Sequence, residues 1–169
     1  MEKILQDFQD GLIAALPRLR RFAYALTGSM ADADDLTQAT VERALLKRSM
    51  LREGSNPDGW LFKICRNIWI DEIRRKTARR EVAETSEKDE PMVDGNKVME
   101  DRLEVARIEE VLKSMPDDQR AVIFLVAAEG YTYREAAEIM GCPTGTIMSK
   151  LARARGRITD ILLSKEAKS

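Results

Sequence analysis

The chain has 169 residues, 34% charged and 44% hydrophobic, which suits one ordinary domain or two small ones and is too apolar overall for a disordered polymer. Lys and Arg number 28 and Asp and Glu 29, for a net charge of −1, and there is no His. The missing imidazole removes the commonest general base and the commonest neutral metal ligand, and the two Cys, Cys65 and Cys142, form no CxxC pair, so no catalytic site, metal site, cofactor or disulfide framework is expected. No apolar run approaches the roughly 18 residues that span a bilayer, and the opening MEKILQDFQD is acidic, unlike a signal peptide. A cytoplasmic protein without membrane insertion is expected.

The helical period dominates from the start. Leu12, Leu16, Leu19, Phe22, Ala23 and Leu26 recur at 3–4 spacing up to Gly28. Ser29 is placed to cap the next helix, with Asp32 at its third position. That helix is expected to reach about Arg48. Its first half, residues 32–42, carries Asp32, Asp34, Asp35 and Glu42 and no base. The helix dipole accounts for acids at an N-terminus; a protein-docking face is the functional alternative. Asn56-Pro57 then reads as a cap followed by proline at the first helical position.

The third helix contains WLFKICRNIWIDEIRRK. Residues 63–80 hold seven bases against two acids, and Trp60, Phe62 and Trp69 lie in or beside that run. Trp60, Lys63, Asn67, Ile70 and Arg74 share one face by helical spacing. Leu61, Ile64, Cys65 and Ile68, with Trp69, fill the opposite face as core. An aromatic ring, a cation and an amide on one face suit an unpaired nucleotide: the ring stacks, the amide reads a base edge, and the bases hold the backbone. The bland alternative is a core Trp60 with solvated Lys and Arg.

The stretch from Arg79 to Arg102 is polar, has no aromatic and carries a net charge of −3. It reads as a flexible linker over residues 81–102, between a domain at 1–80 and another at 103–169. In the second lobe, helices are expected at Leu103–Met115 and Asp117–Glu129, ended by Gly130. Thr132 caps a short helix, YREAAEIM, stopped by Gly141, and Pro143 opens a last helix through about Leu163. The small pair Ala136-Ala137 allows a close crossing, and Ile139, Ile147 and Leu151 would bury the two last helices. This is the layout of a helix-turn-helix, whose second helix enters a major groove. Residues 147–157 carry four bases and no acid, as DNA binding asks, although a solvated basic face would look similar.

Taken together, LPRLRRFAYALTGSMADADDLTQATVERAL, NPDGWLFKICRNIWIDEIRRK and LKSMPDDQRAVIFLVAAEGYTYREAAEIMGCPTGTIMSKLARARGRI resemble the extracytoplasmic-function sigma factors of bacterial RNA polymerase over about residues 12–160. The resemblance implies an all-α chain of two small helical domains, region two and a region-four helix-turn-helix, joined by a flexible linker. It implies a protein that performs no covalent chemistry, docks on core RNA polymerase at the β′ clamp helices and the β flap, and recognises promoter DNA. An anti-sigma factor is a further implied partner, and a stress response the implied setting. Residue by residue, Asp34, Asp35, Gln38 and Arg43 fall in the polymerase-docking helix. Trp60, Lys63, Asn67 and Arg74 fall on the −10 segment, and the loop from Leu51 to Asn56 matches the one that helps to hold a flipped base. Thr144, Ser149, Lys150 and Arg153 fall on the −35 helix, with Arg155 and Arg157 as phosphate contacts. Met148 departs from the pattern: many relatives carry Lys or Arg there, and methionine makes no bidentate guanine contact.

Two other readings explain less. A sigma-like decoy that titrates an anti-sigma factor would need the docking surfaces but not Trp60, Lys63, Asn67 and the basic last helix. A plain helix-turn-helix repressor leaves the acidic helix and WLFKICRN unexplained.

Overall fold

The computed structural model describes residues 1–82 and 100–167. Among them are seven α-helices and no strand: α1 Glu2–Thr27, α2 Met30–Leu46, α3 Pro57–Val82, α4 Glu100–Ser114, α5 Asp117–Ile123, α6 Tyr133–Met140 and α7 Thr144–Glu166. The proposed linker at 81–102 lies mostly outside the described residues.

The capping chemistry sets the boundaries. Gly28 takes φ 70° and donates its N–H to the Tyr24 carbonyl, closing α1. Ser29 accepts from the Asp32 amide at 3.4 Å, and Asn56 Oδ1 accepts from the amides of Asp58 and Gly59 at 3.1 and 3.3 Å. Thr132 and Glu135 form a reciprocal capping box at the start of α6. At the other end of α6, Gly141 is left-handed (φ 63°), and the Gly141 and Cys142 amides both return to Ala137 O. The helix-turn-helix is built by these local rules.

Two elements depart from the expected outline. After Leu46, α2 gives way to a short tight turn at Arg48–Met50. The expected helix from Asp117 to Glu129 is not uniform: beyond Ile123 it widens, with the Glu129 amide bonding Phe124 O five residues back. The widened turn presents Phe124 to the first lobe.

The larger finding is that the lobes share a core. Leu19, Phe22, Ala23 and Leu26 of α1, Leu36 of α2 and Leu61, Phe62 and Cys65 of α3 are buried in one continuous cluster with Val122, Leu125, Ala136, Ile139, Ile147 and Leu151. Aromatic rings make the seam. Phe124 lies 5.8 Å from Phe22 and 6.3 Å from Phe62, and Tyr131 lies edge-on to Phe62 at 6.0 Å. Val111, Met115 and Ala154 form a separate cluster that holds α4 against α7.

Ion pairs and hydrogen bonds frame this apolar seam. Arg18 of α1 binds both Asp58 of α3 and Glu129, the latter by an Nε bond of 2.6 Å, and its guanidinium lies over Phe62. The bond to Glu129, foremost, raises the Arg18 pKa above its usual value. Asn56 Nδ2 reaches the Tyr131 hydroxyl at 3.4 Å. Arg120, 5% exposed, donates to Ala25 O at 2.6 Å across the seam, to Leu112 O and Met115 O, and to Asp117 at 2.7 Å.

Removing that side chain takes a donor from the Ala25 carbonyl near the end of α1 and from the Met115 carbonyl just past α4, while Leu112 O keeps the Met115 amide. Arg120→Ala is expected to lower the unfolding free energy by about 3 kcal/mol in urea titrations. A loss under about 1 kcal/mol would contradict the role given to it here.

Candidate nucleic-acid interface

With Leu61, Phe62, Ile64, Cys65, Ile68 and Trp69 buried, α3 turns Lys63, Asn67 and Arg74 to solvent. Trp60 is half-buried at the head of the same row, edge-on to Phe8 with ring centres 6.4 Å apart. Of the five α3 residues expected on one face, Lys63, Asn67 and Arg74 are exposed and Trp60 and Ile70 half-buried. Phe62, grouped in the sequence only as one of three aromatics, is a core ring at 1% exposure.

A groove of about 780 Å³ opens beside Trp60, floored by Phe8, Leu12, Leu51 and Leu61 and edged by Arg48 and Arg52. The loop after α2, through Leu51, Arg52 and Glu53, forms one wall. The other wall, from the first turns of α1, was not anticipated. Its signal was present: the apolar spacing that begins at Leu12 extends back through Phe8 and Leu5.

On α2 the four docking candidates are all exposed, while Ala33, Leu36, Thr40 and Ala44 face inward. Asp34 accepts from Arg20 Nε at 2.6 Å, a bond that raises the Arg20 pKa. Gln38 donates to Glu42 at 3.2 Å. Asp35 edges a cleft against Trp69, Glu72 and Lys76, and the Arg43 carbonyl accepts the Lys47 amide at 3.0 Å.

On α7 the buried row Ile147, Leu151 and Ala154 fixes the orientation. Thr144, Ser149, Arg153, Arg155 and Arg157 are exposed, and Met148 is 54% exposed among them. The Ser149 hydroxyl donates to Thr146 O at 3.0 Å, and Arg157 reaches Ser114 O at 3.4 Å. Lys150 stands apart. It is half-buried and bonded to Asp118 of α5 at 2.5 Å.

The sequence reading missed that these two surfaces meet. Arg66, Trp69, Ile70 and Ile73 of α3 face Met140, Cys142 and Lys150 across a small cleft. The turn of the helix-turn-helix thus lies against the helix that carries Trp60, Lys63 and Asn67. Nothing in a one-dimensional pattern pairs a glycine turn with a distant helix.

Comparison with known proteins gives a consistent result. The family profile described as "Sigma2 domain of PhyR" matches residues 12–66, and that described as "Sigma-70, region 4" matches residues 106–158. The chain is 36% identical over 159 residues to the ECF RNA polymerase sigma factor EcfG of Rhodopseudomonas palustris, covering 94% of this chain and 87% of that one. Among solved structures it resembles the sigma factor RpoE in complex with the anti-sigma factor NepR from Bartonella quintana, with TM-score 0.80 and 32% identity over 93% of this chain and 97% of that one. It also resembles the PhyRSL–NepR complex from Sphingomonas sp. Fr1, with TM-score 0.62 and 25% identity over 88% and 85% of the two chains.

The two thiols lie in unlike settings. Cys65 is fully buried, and burial pushes its thiol up to about 12, while Cys142 in the turn is half-buried. A disulfide reagent at pH 8 is expected to label Cys142 in the folded chain and to reach Cys65 only after urea is added. Labelling of Cys65 at a native-state rate equal to that of Cys142 would contradict this packing.

Proposed function

Because this chain belongs to the extracytoplasmic-function sigma factors of bacterial RNA polymerase, we propose that its closed lobes are a storage form of a factor that reads promoters only when they part. Sigma factors bind core RNA polymerase and direct initiation at promoters, and so does this chain. The region-four helix-turn-helix is its DNA-binding module. The active chemistry belongs to the polymerase; this chain acts by recognition, not as an enzyme. Its work lies in the cytosol, and no described helix is long and apolar enough to cross a membrane.

The α3 face is assigned to the −10 element. Trp60 stacks on an unpaired base, Asn67 reads an edge, and Lys63 and Arg74 hold the strand. The groove beside Trp60 fits an extruded base, whose capture offsets the few kcal/mol of unstacking. On α7, Thr144, Ser149, Lys150 and Arg153 are assigned to −35 bases and Arg155 and Arg157 to phosphates. Asp34, Asp35, Gln38 and Arg43 are assigned to the polymerase. The domain limits stay at 1–80 and 103–169, with the linker at 81–102. The observation that carries the reading is the single α3 row of a half-buried Trp60 with exposed Lys63 and Asn67, in a chain of this family.

Geometry demands the parting. The −10 and −35 elements are nominally 25 base pairs apart, about 85 Å of duplex at 3.4 Å per step. Here Arg66 of α3 touches the turn that leads into α7, and α7 itself, at 23 residues, spans only about 35 Å. The closed chain cannot serve both elements at once. A sigma factor bound by NepR resembles this chain across both lobes, which supports an anti-sigma partner that takes hold of the closed form. Control of a stress response follows from that reading.

The match of residues 12–66 to the PhyR profile favours one alternative, a decoy that binds the anti-sigma factor. Transcription with purified core polymerase separates them: a sigma factor yields promoter-specific RNA, and a decoy yields none. Trp60→Ala and Asn67→Ala are expected to retain core binding and to lose open complexes by about 5- to 100-fold, the equivalent of about 1–3 kcal/mol. Abolished core binding in either would remove the −10 assignment. Asp35→Lys is expected to weaken polymerase binding with promoter reading intact once saturated; an unaltered affinity would remove Asp35 from the docking face.

A further inference from the structure

Arg18, Arg120, Lys150 and Arg66 sit on or beside the seam, and the first three have carboxylate partners. Arg18 binds Asp58 and Glu129, Arg120 binds Asp117, and Lys150 binds Asp118. Arg66 has none among the described residues. Its Nη1 reaches Asn67 Oδ1 only at 3.4 Å, and its Nε is buried without a hydrogen-bond partner. Burial, foremost, lowers its pKa from the usual arginine value, and the neighbouring Arg74 charge lowers it further.

The packing around it is equally specific. Nη1 lies 2.9 Å from where a Cβ would stand on Gly141, whose left-handed φ of 63° itself favours glycine, so the turn closes tightly over the end of Arg66. A desolvated guanidinium with unmet donors is a cost to the closed form. Arg18 and Arg120 bond across the seam, to Glu129 and Ala25 O; Arg66 is merely covered by it.

Its position on α3 indicates which anion it suits. Arg66 follows Lys63 by three residues and immediately precedes Asn67, on the edge of the row that begins at Trp60. A planar guanidinium beside a nucleotide-reading face is suited to a bidentate grip on a phosphodiester. We propose that Arg66 is a backbone-phosphate contact for the −10 strand that closure of the lobes masks, so that the helix-turn of the second lobe and the promoter compete for one guanidinium. The proposal rests on the assignment of α3 to the −10 element.

Holoenzyme assembled from the full chain and core polymerase would be titrated with promoter DNA premelted across −10, over a salt series. Arg66→Gln keeps the reach and a hydrogen-bonding head but removes the charge, and Arg66→Lys keeps the charge. Losing one phosphate contact lowers the slope of log affinity against log salt by about 0.7 to 0.9. Arg66→Gln is expected to show that loss with unchanged base preference at −10, and Arg66→Lys to keep most of the slope. In the free chain, Arg66→Gln is expected to leave amide exchange at Gly141 and Cys142 as slow as before or slower. A wild-type slope in Arg66→Gln, while Asn67→Ala weakens the same complex, overturns this proposal and leaves the α3 assignment standing. A wild-type slope together with faster exchange at Gly141 assigns Arg66 to the seam and overturns it too. If Asn67→Ala also has no effect, the α3 assignment falls and the proposal with it.

Discussion

The guanidinium of Arg120 is where two lobes become one body. A helix leaves its last carbonyls without intrahelical donors and carries partial negative charge there. Arg120 supplies a donor to the end of α1 at Ala25, to the end of α4 at Leu112 and Met115, and an ion pair to Asp117 at the start of α5. Gly28 leaves room for it, since a Cβ there would stand 3.0 Å from Nη2. Phe22, Phe62 and Phe124 then close over the apolar side of the same junction.

Docking the lobes this way decides what each surface can do. α5 and the widened turn pack on α1, which brings α6 and its glycine turn down on α3. Lys63, Asn67 and Arg153 stay open to solvent, whereas Arg66 and Lys150 face the seam. Part of the seam is apolar burial, with Phe124 and Tyr131 packed on Phe22 and Phe62. Beside it stands the ion pair of Arg18 with Glu129, whose side chains are 34% and 8% exposed. An uncompensated Arg66 works against closure. The closed form is thus held by a few identifiable contacts, and a polymerase surface or an acidic backbone has groups with which to compete.

Much of this fold was legible because it is local. Gly28, Ser29, Asn56-Pro57, Thr132 with Glu135, and Gly141 each set a helix end within five residues of itself, and each acts as its chemistry dictates. The faces of α3 and α7 were legible for the same reason, since helical spacing alone separates Cys65 from Asn67 and Ile147 from Ser149. The sequence offered no comparable handle on the seam. Arg120 looked like one more charge in a chain that is 34% charged, and its partner at Ala25 is a backbone carbonyl 95 residues away. Nothing in the spacing singles out Phe124 or Tyr131, and the widened turn that aims Phe124 outward has no propensity signature. Arg66 was counted in a basic run and passed over, because only burial distinguishes it from Lys63.

The central claim is that the free chain is closed and that reading a promoter requires it to open. Energy transfer between dyes at exposed positions 49 in the first lobe and 164 in the second measures this directly, with Cys142 replaced by serine. The account predicts high, uniform transfer in the free chain and a shift to low transfer on core polymerase bound to promoter DNA. Unchanged transfer in a complex that still makes promoter-specific RNA would contradict it, as would low transfer in the free chain.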